Sequence, residues 1–169
     1  MIAQYADTRK FYSIKGDSIV KITFDTLRAA LTDQISEKGV VAAIEYCNVN
    51  AYPITTLFAK EGIMIRRAAA RFRNPGNSPD SLEKTVIDSY LFSIRSKQSL
   101  NDTLVQQPGS MHFFKPIILQ AMCKNCHGDL LLDISPAALK EIKKRYPDDL
   151  ATGFKEGDLR GIWHVVFPD

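Results

Sequence analysis

Apolar residues recur at a helical period over the first third of the chain, and the texture changes after Gly62. From Asp17 to about Ile35, the positions Ile19, Ile22, Leu27, Ala30 and Leu31 follow a period near 3.6, which predicts an amphipathic helix. Ser36-Glu-Lys-Gly39 supplies its stop. A second helix is expected from Val40 to about Ala51, with Val41, Ile44 and Cys47 on one stripe. Pro53 should break or kink it, leaving one further helical turn over Ile54 to Lys60.

Beyond Gly62, the stretch Ile63 to Arg73 has strand character, with Arg67, Arg71 and Arg73 on one parity and Met64, Arg66 and Phe72 on the other. Asn74 to Pro79 is a loop, and Ser78 before Pro79 is the expected cap of a helix reaching about Ser93. That helix should bury Leu82, Val86, Tyr90 and Ile94. Thr103 to Ile118 predicts two strands around a Pro108-Gly109 turn. Ser135-Pro136 opens a short helix to about Tyr146, residues 147–157 are irregular, and Gly161 to Phe167 is a closing strand stopped by Pro168. Helices followed by mostly antiparallel strands indicate an α+β fold. One domain over residues 1–169 is expected, with a helical layer over 1–61 and the sheet over 62–169.

Composition narrows the field only a little. With 169 residues, 45% hydrophobic and 24% charged, the chain reads as an ordinary globular domain able to bury a core. A net charge of +3 with no Lys/Arg stripe and interleaved aromatics argues against nucleic acid. No run of 18 apolar residues is present, so no transmembrane segment is expected. No phosphate-binding glycine motif and no evident set of catalytic residues occurs, so the chain does not read as an enzyme.

The chemistry lies in Cys123-Lys-Asn-Cys126-His127-Gly128. C-x-x-C-H is the attachment signature of a c-type haem: on a helical turn the two sulfurs and the imidazole share one face. Cys123 and Cys126 would each form a thioether with a haem vinyl group, and His127 would be the proximal iron ligand. Two other readings stay open. A zinc tetrahedron could take Cys123, Cys126 and His127 with Cys47, His112 or His164, although a second short-spaced ligand pair is lacking. A redox dithiol would normally follow a strand in a βαβ pattern, which is not found. Spacing favours one covalently attached haem c.

Covalent attachment is an extracytoplasmic reaction, which implies a periplasmic protein. Met1 to Asp7 lacks the parts of a secretory signal, so a leader or anchor is expected to have been removed.

Four further stretches point the same way: Ala43-Ile-Glu-Tyr-Cys47, Arg71 to Asp80, Lys115-Pro116 leading into the C-x-x-C-H run, and Tyr146 to Gly161. Together they resemble the bacterial single-haem c-type cytochrome domains of PAS-like fold, over about residues 25–169. The resemblance implies a five-stranded antiparallel PAS-like sheet with N-terminal helices near the haem. It also implies an iron held by His127 on one side and by Cys47 on the other. Read from the residues alone, Cys47 is as well explained as a small buried hydrophobe, and His112, His164, Met64 and Met111 compete for the sixth position. Met122 does not, because neighbouring Cys123 is tied to the porphyrin edge.

Arg67, Arg71 and Arg73 are candidate partners for the haem propionates, and Tyr46 and Tyr52 candidate pocket contacts, against the plainer reading of a solvated strand face and ordinary helix packing. Thiolate ligation favours ferric iron and predicts a low potential, with an Fe–S bond that weakens on reduction and a vacated position open to CO or NO. The expected function is redox or ligand sensing towards an unknown partner protein. An electron shuttle is the alternative, and a small peroxidase or nitrogen-oxide enzyme comes third.

Overall fold

The computed structural model describes residues 2–57, 59 and 62–168. Its first element, α1 (Ile2–Thr56), has one non-helical residue, Gly39 at φ 81° and ψ 173°. A side chain strains that conformation and glycine does not, so Gly39 joins two helical arms, residues 2–38 and 40–56. The first arm begins well before the expected Asp17, and Ser36 to Lys38 remain helical. Pro53 sits inside the second arm without ending it, and helix stops at Thr56; Lys60 lies outside the described residues.

The sheet contains β1 (Met64–Ala68), β2 (Thr103–Gln107), β3 (Ser110–Ile118) and β4 (Leu159–Pro168), in the order β1-β4-β3-β2. All its pairings are antiparallel. Four strands are seen among the described residues where five were expected. The difference lies at Ala69, where the predicted strand to Arg73 ends. Its amide donates to Asn77 O (3.0 Å), closing residues 69–77 into a loop around a 3-10 turn (Pro75–Asn77) capped by Asn74.

Helix α2 (Ser81–Arg95) starts at Asp80, not Ser78, because Asp80 and Glu83 exchange a reciprocal pair of bonds. The Asp80 carboxylate accepts from Glu83 N (2.8 Å), and Glu83 accepts from Asp80 N (2.9 Å). Val86, Ile87 and Tyr90 are buried, while Ile94 is exposed. The β2–β3 hairpin and α4 (Pro136–Arg145), capped by Ser135, form where the sequence placed them. Between β3 and α4 lies α3 (Lys124–His127), one turn long.

Strand alternation divides two cores. Ile65, Met111, Phe113, Trp163, Val165 and Phe167 face the first arm of α1 at Val20, Tyr12, Ile19 and Phe24. Gly16 lies so close to the Phe113 ring that a Cβ there would overlap it. Ala68, Phe114, Leu159 and Ile162 face α2. The sheet is thus a layer between two helical layers. The second arm of α1 packs by Ile44 and Val40 against Ile134, Ala138, Ile142 and Tyr146 of the α4 region.

Candidate functional site

Where the two arms of α1 diverge, they enclose a cavity of about 500 Å³ against the sheet edge. Leu27, Leu31 and Ile35 contribute from the first arm, and Ala43, Ile44, Cys47, Ala51 and Thr55 from the second. The opposite wall carries Arg67, Arg73, Met122, Cys123, Cys126, His127, Tyr146 and Arg160. Cys47 and the C-x-x-C-H residues, far apart in the chain, therefore open into one space.

The C-x-x-C-H turn is held by the backbone of the irregular segment 147–157. Phe154 N donates to His127 O (2.9 Å) and Gly153 N to Gly128 O (2.7 Å). A Cβ on Gly128 would lie 2.5 Å from Asp133 Oδ2 and 2.7 Å from Lys124 O, so glycine is required there. Arg73 fastens the two segments together. Its guanidinium donates to both carboxylate oxygens of Asp149 (3.1 Å each) and to Cys126 O (2.6 Å).

His127 Nδ1 lies 2.7 Å from Ala151 O. A carbonyl only accepts, so Nδ1 carries the proton and Nε2 keeps its lone pair. Burial, followed by the charges of Arg160 and Arg73, holds the imidazole pKa well below its ordinary value despite that bond. The ring is neutral at physiological pH, the state a metal requires. Burial likewise pushes the Cys47 and Cys126 thiols up, with Arg67 and Arg73 opposing at Cys47 and Arg73 at Cys126. All three cysteines are free.

The wall is also cationic. Asp149 is taken by Arg73, while Arg67 and Arg160 have no carboxylate partner among the described residues, and their buried Nε atoms have no hydrogen-bond partner. Burial first, and then Arg73 and Arg67, lower the Arg160 pKa to about 10. Arg67 donates weakly to Ala51 O (3.5 Å) and lies over Trp163 (5.7 Å).

Several expectations shift. Arg71 points away from the cavity, donating to Leu150 O (3.2 Å) and Thr152 O and stacking on Phe154 (4.1 Å). Tyr46 does not line the cavity, whereas Tyr52 does. His112 and His164 face α2 on the other side of the sheet, Met111 is in the core and Met64 is 61% exposed on the edge strand. None of these four lines the cavity. Arg160 and Tyr146 were not singled out as site residues. A lone arginine at the start of a strand has no distinguishing sequence signal.

The sequence model of the Tll0287-like family matches residues 1–168. The chain belongs to the Tll0287-like family. Among solved structures, the crystal structure of the cyanobacterial heme-protein Tll0287 superimposes with a TM-score of 0.68 at 23% identity, covering 92% of this chain and 93% of that one. At that identity the likeness establishes a shared fold. No curated protein matches. In this Tll0287-like chain, no helix among the described residues is long and apolar enough to cross a membrane.

Proposed function

We propose that this chain binds one haem covalently through Cys123 and Cys126, with His127 Nε2 and Cys47 as axial iron ligands, and works as a redox or ligand sensor. The carrying observation is that all four residues line one cavity of about 500 Å³. The solved relative of the same fold is a heme-protein, which supports the same reading.

The residues fit the group. A zinc tetrahedron needs its donors about 4 Å apart, because Zn–S bonds are only ~2.3 Å. Among the described residues, the one group of three or more potential ligands converging within 4.8 Å is Asp80, Glu83 and His164, so the cavity residues do not form a closed zinc site. A large planar group fills the space better than a small ion. Two buried guanidiniums without carboxylates, Arg67 and Arg160, match the two propionates of a haem.

When bound, the haem supplies one-electron chemistry and an iron centre for small ligands. The chain contributes the rest. Ala151 O fixes the His127 tautomer and ring direction, and Arg73 keeps the attachment turn against segment 147–157. Arg67 and Arg73 lie close enough to Cys47 to favour its thiolate. That anionic donor favours ferric iron, which makes the potential low. Reduction weakens its hold and opens the position to CO or NO. The remaining PAS-type features of this reading rest on the α1-covered antiparallel sheet, which lacks one expected strand. Thioether formation places the protein in an extracytoplasmic compartment.

Mass spectrometry of the purified chain tests the attachment: a covalent haem must survive acid–acetone extraction. Optical and electron-paramagnetic spectra of both oxidation states then test the ligands. A Cys47→Ala protein with an unchanged ferric spectrum and potential overturns the Cys47 assignment. Thiolate character retained on reduction favours an electron shuttle over the sensor.

A further inference from the structure

On the face of the sheet opposite the cavity, four side chains from three elements form an unbroken line. Ser110 Oγ lies 2.9 Å from His112 Nε2, His112 Nδ1 lies 2.8 Å from His164 Nε2, and His164 Nδ1 lies 2.8 Å from Glu83 Oε1. Glu83 is fully buried and His164 is 4% exposed, whereas Ser110 and His112 are partly open to solvent at the hairpin. Phe114 stacks on His164 with centroids 4.2 Å apart, which holds the ring in line.

The protons in this line are determined from its inner end. Glu83 Oε2 faces two donors, Asp80 N (2.9 Å) and Arg66 Nη1 (3.3 Å), which stabilise the carboxylate. Ionised Glu83 only accepts, so His164 Nδ1 must donate to it. His164 Nε2 then accepts from His112 Nδ1–H, and His112 Nε2 accepts from the Ser110 hydroxyl. Both rings are neutral, and every hydrogen bond is satisfied by a single arrangement. The charged groups facing the line are Glu83 and the Asp80 cap from the α2 side and Arg66 from β1; β2 brings the uncharged Val105 opposite His112.

We propose that Ser110, His112, His164 and Glu83 form a proton relay that stores one proton in the core when the charge held in the cavity falls by one. The step is balanced. A proton from solvent binds His112 Nε2 as the Ser110 hydroxyl rotates to accept from it. The His112 Nδ1 proton passes to His164 Nε2. The charge then rests as an imidazolium against the Glu83 carboxylate, while His112 returns to neutral in its other tautomer. No backbone movement is required. Burial and His164 hold the His112 pKa low, with Asp80 and Glu83 opposing, which suits an entry point that passes its proton inward.

Arg66 links relay and cavity. It pairs with Glu83, donates to Gly76 O (3.1 Å) and Ser78 O (3.0 Å), and lines the cavity together with Gly76. An imidazolium beside Glu83 competes with Arg66 for that carboxylate and leaves more of the arginine charge facing the cavity. One added electron, supplied by an external one-electron donor, is thereby partly offset by one added proton. This coupling rests on the haem reading; the relay itself does not.

With three histidines in the chain, ring-nitrogen NMR of the haem-loaded protein reads the two relay rings almost alone. Between about pH 5 and 9, His112 and His164 should shift with one common midpoint, and that midpoint should be higher in the reduced than in the oxidised protein. Glu83→Gln should abolish the common midpoint. Arg66→Met should preserve it and abolish its dependence on oxidation state, and it remains informative if loss of Glu83 prevents folding. Separate midpoints for the two rings overturn the relay. An identical midpoint in both oxidation states overturns the coupling. Failure of the haem reading shows separately, as a chain with bare polypeptide mass, and the ring titration still decides the relay in that protein.

Discussion

Replacing Arg160 by methionine separates what the cavity costs the bare chain from what it gains by being filled. Arg160 Nη1 donates to Arg71 O (3.1 Å), its guanidinium lies over Phe154 (5.4 Å), and its buried Nε has no partner. The fall of its pKa from 12.5 to about 10 corresponds to roughly 3 kcal/mol of burial and like-charge repulsion at physiological pH. Partial exposure of the residue trims that to about 2 kcal/mol, and loss of the Arg71 bond removes about 1 kcal/mol more. Arg160→Met should therefore stabilise the cofactor-free chain by about 1 kcal/mol, a melting shift of ~2–4 °C for a domain of this size. In the haem-loaded protein, the lost charge-assisted contact to a propionate is worth about 1.5–3 kcal/mol, so the gain should vanish or reverse. Urea unfolding of both forms, with a Cys123→Ala/Cys126→Ala background as the cofactor-free protein, measures the difference. If the variant destabilises the cofactor-free chain, or stabilises both forms equally, Arg160 is not an unpaired cation awaiting a propionate.

Gly39→Ala places a side chain at φ 81° with open space around it, so only backbone strain counts. About 1–2 kcal/mol of destabilisation is expected by denaturant titration. Gly16→Val meets the Phe113 ring directly, and overpacking of about 1–3 kcal/mol or more should appear in the same assay. Burial raises the Tyr90 pKa to about 12. Because the unfolded tyrosine ionises first, near pH 10, its contribution is complete below that pH and lost as pH rises towards 12. Alkaline unfolding of Tyr90→Phe should have a shallower pH dependence than wild type, after an initial loss of about 1 kcal/mol for its bonds to Thr103 and Phe114 O. Arg73→Lys keeps the charge but cannot bridge Asp149 in two places while reaching Cys126 O. Faster hydrogen exchange at Phe154 and Gly153 is expected, and unchanged exchange would refute the role of Arg73 in holding the attachment turn.

Local chemistry was legible where the determining atoms are neighbours in the chain. C-x-x-C-H is a one-turn arrangement, Pro108-Gly109 a hairpin turn and Ser135-Pro136 a helix cap, and the elements form at those positions. Strand alternation also placed Trp163 and His164 on opposite faces. Local rules failed where two signals competed. Ser78-Pro79 lost to the reciprocal Asp80–Glu83 pair one step later, and Pro53 was absorbed within a helix. The strand expected to reach Arg73 stopped at Ala68 because the Asn74-to-Asn77 turn captured its next amide.

What the order of residues determined by itself is the haem-attachment turn, since two sulfurs and an imidazole three and four positions apart must share a face. Tertiary structure alone decided which distant groups meet that turn. Cys47 is brought to it by the reversal at Gly39, Arg160 by the start of β4, and His112 and His164 are kept from it by the thickness of the sheet. The physical reason is one of range. Backbone geometry relates residues a few positions apart, whereas contacts across tens of residues depend on how layers pack, which no local pattern encodes.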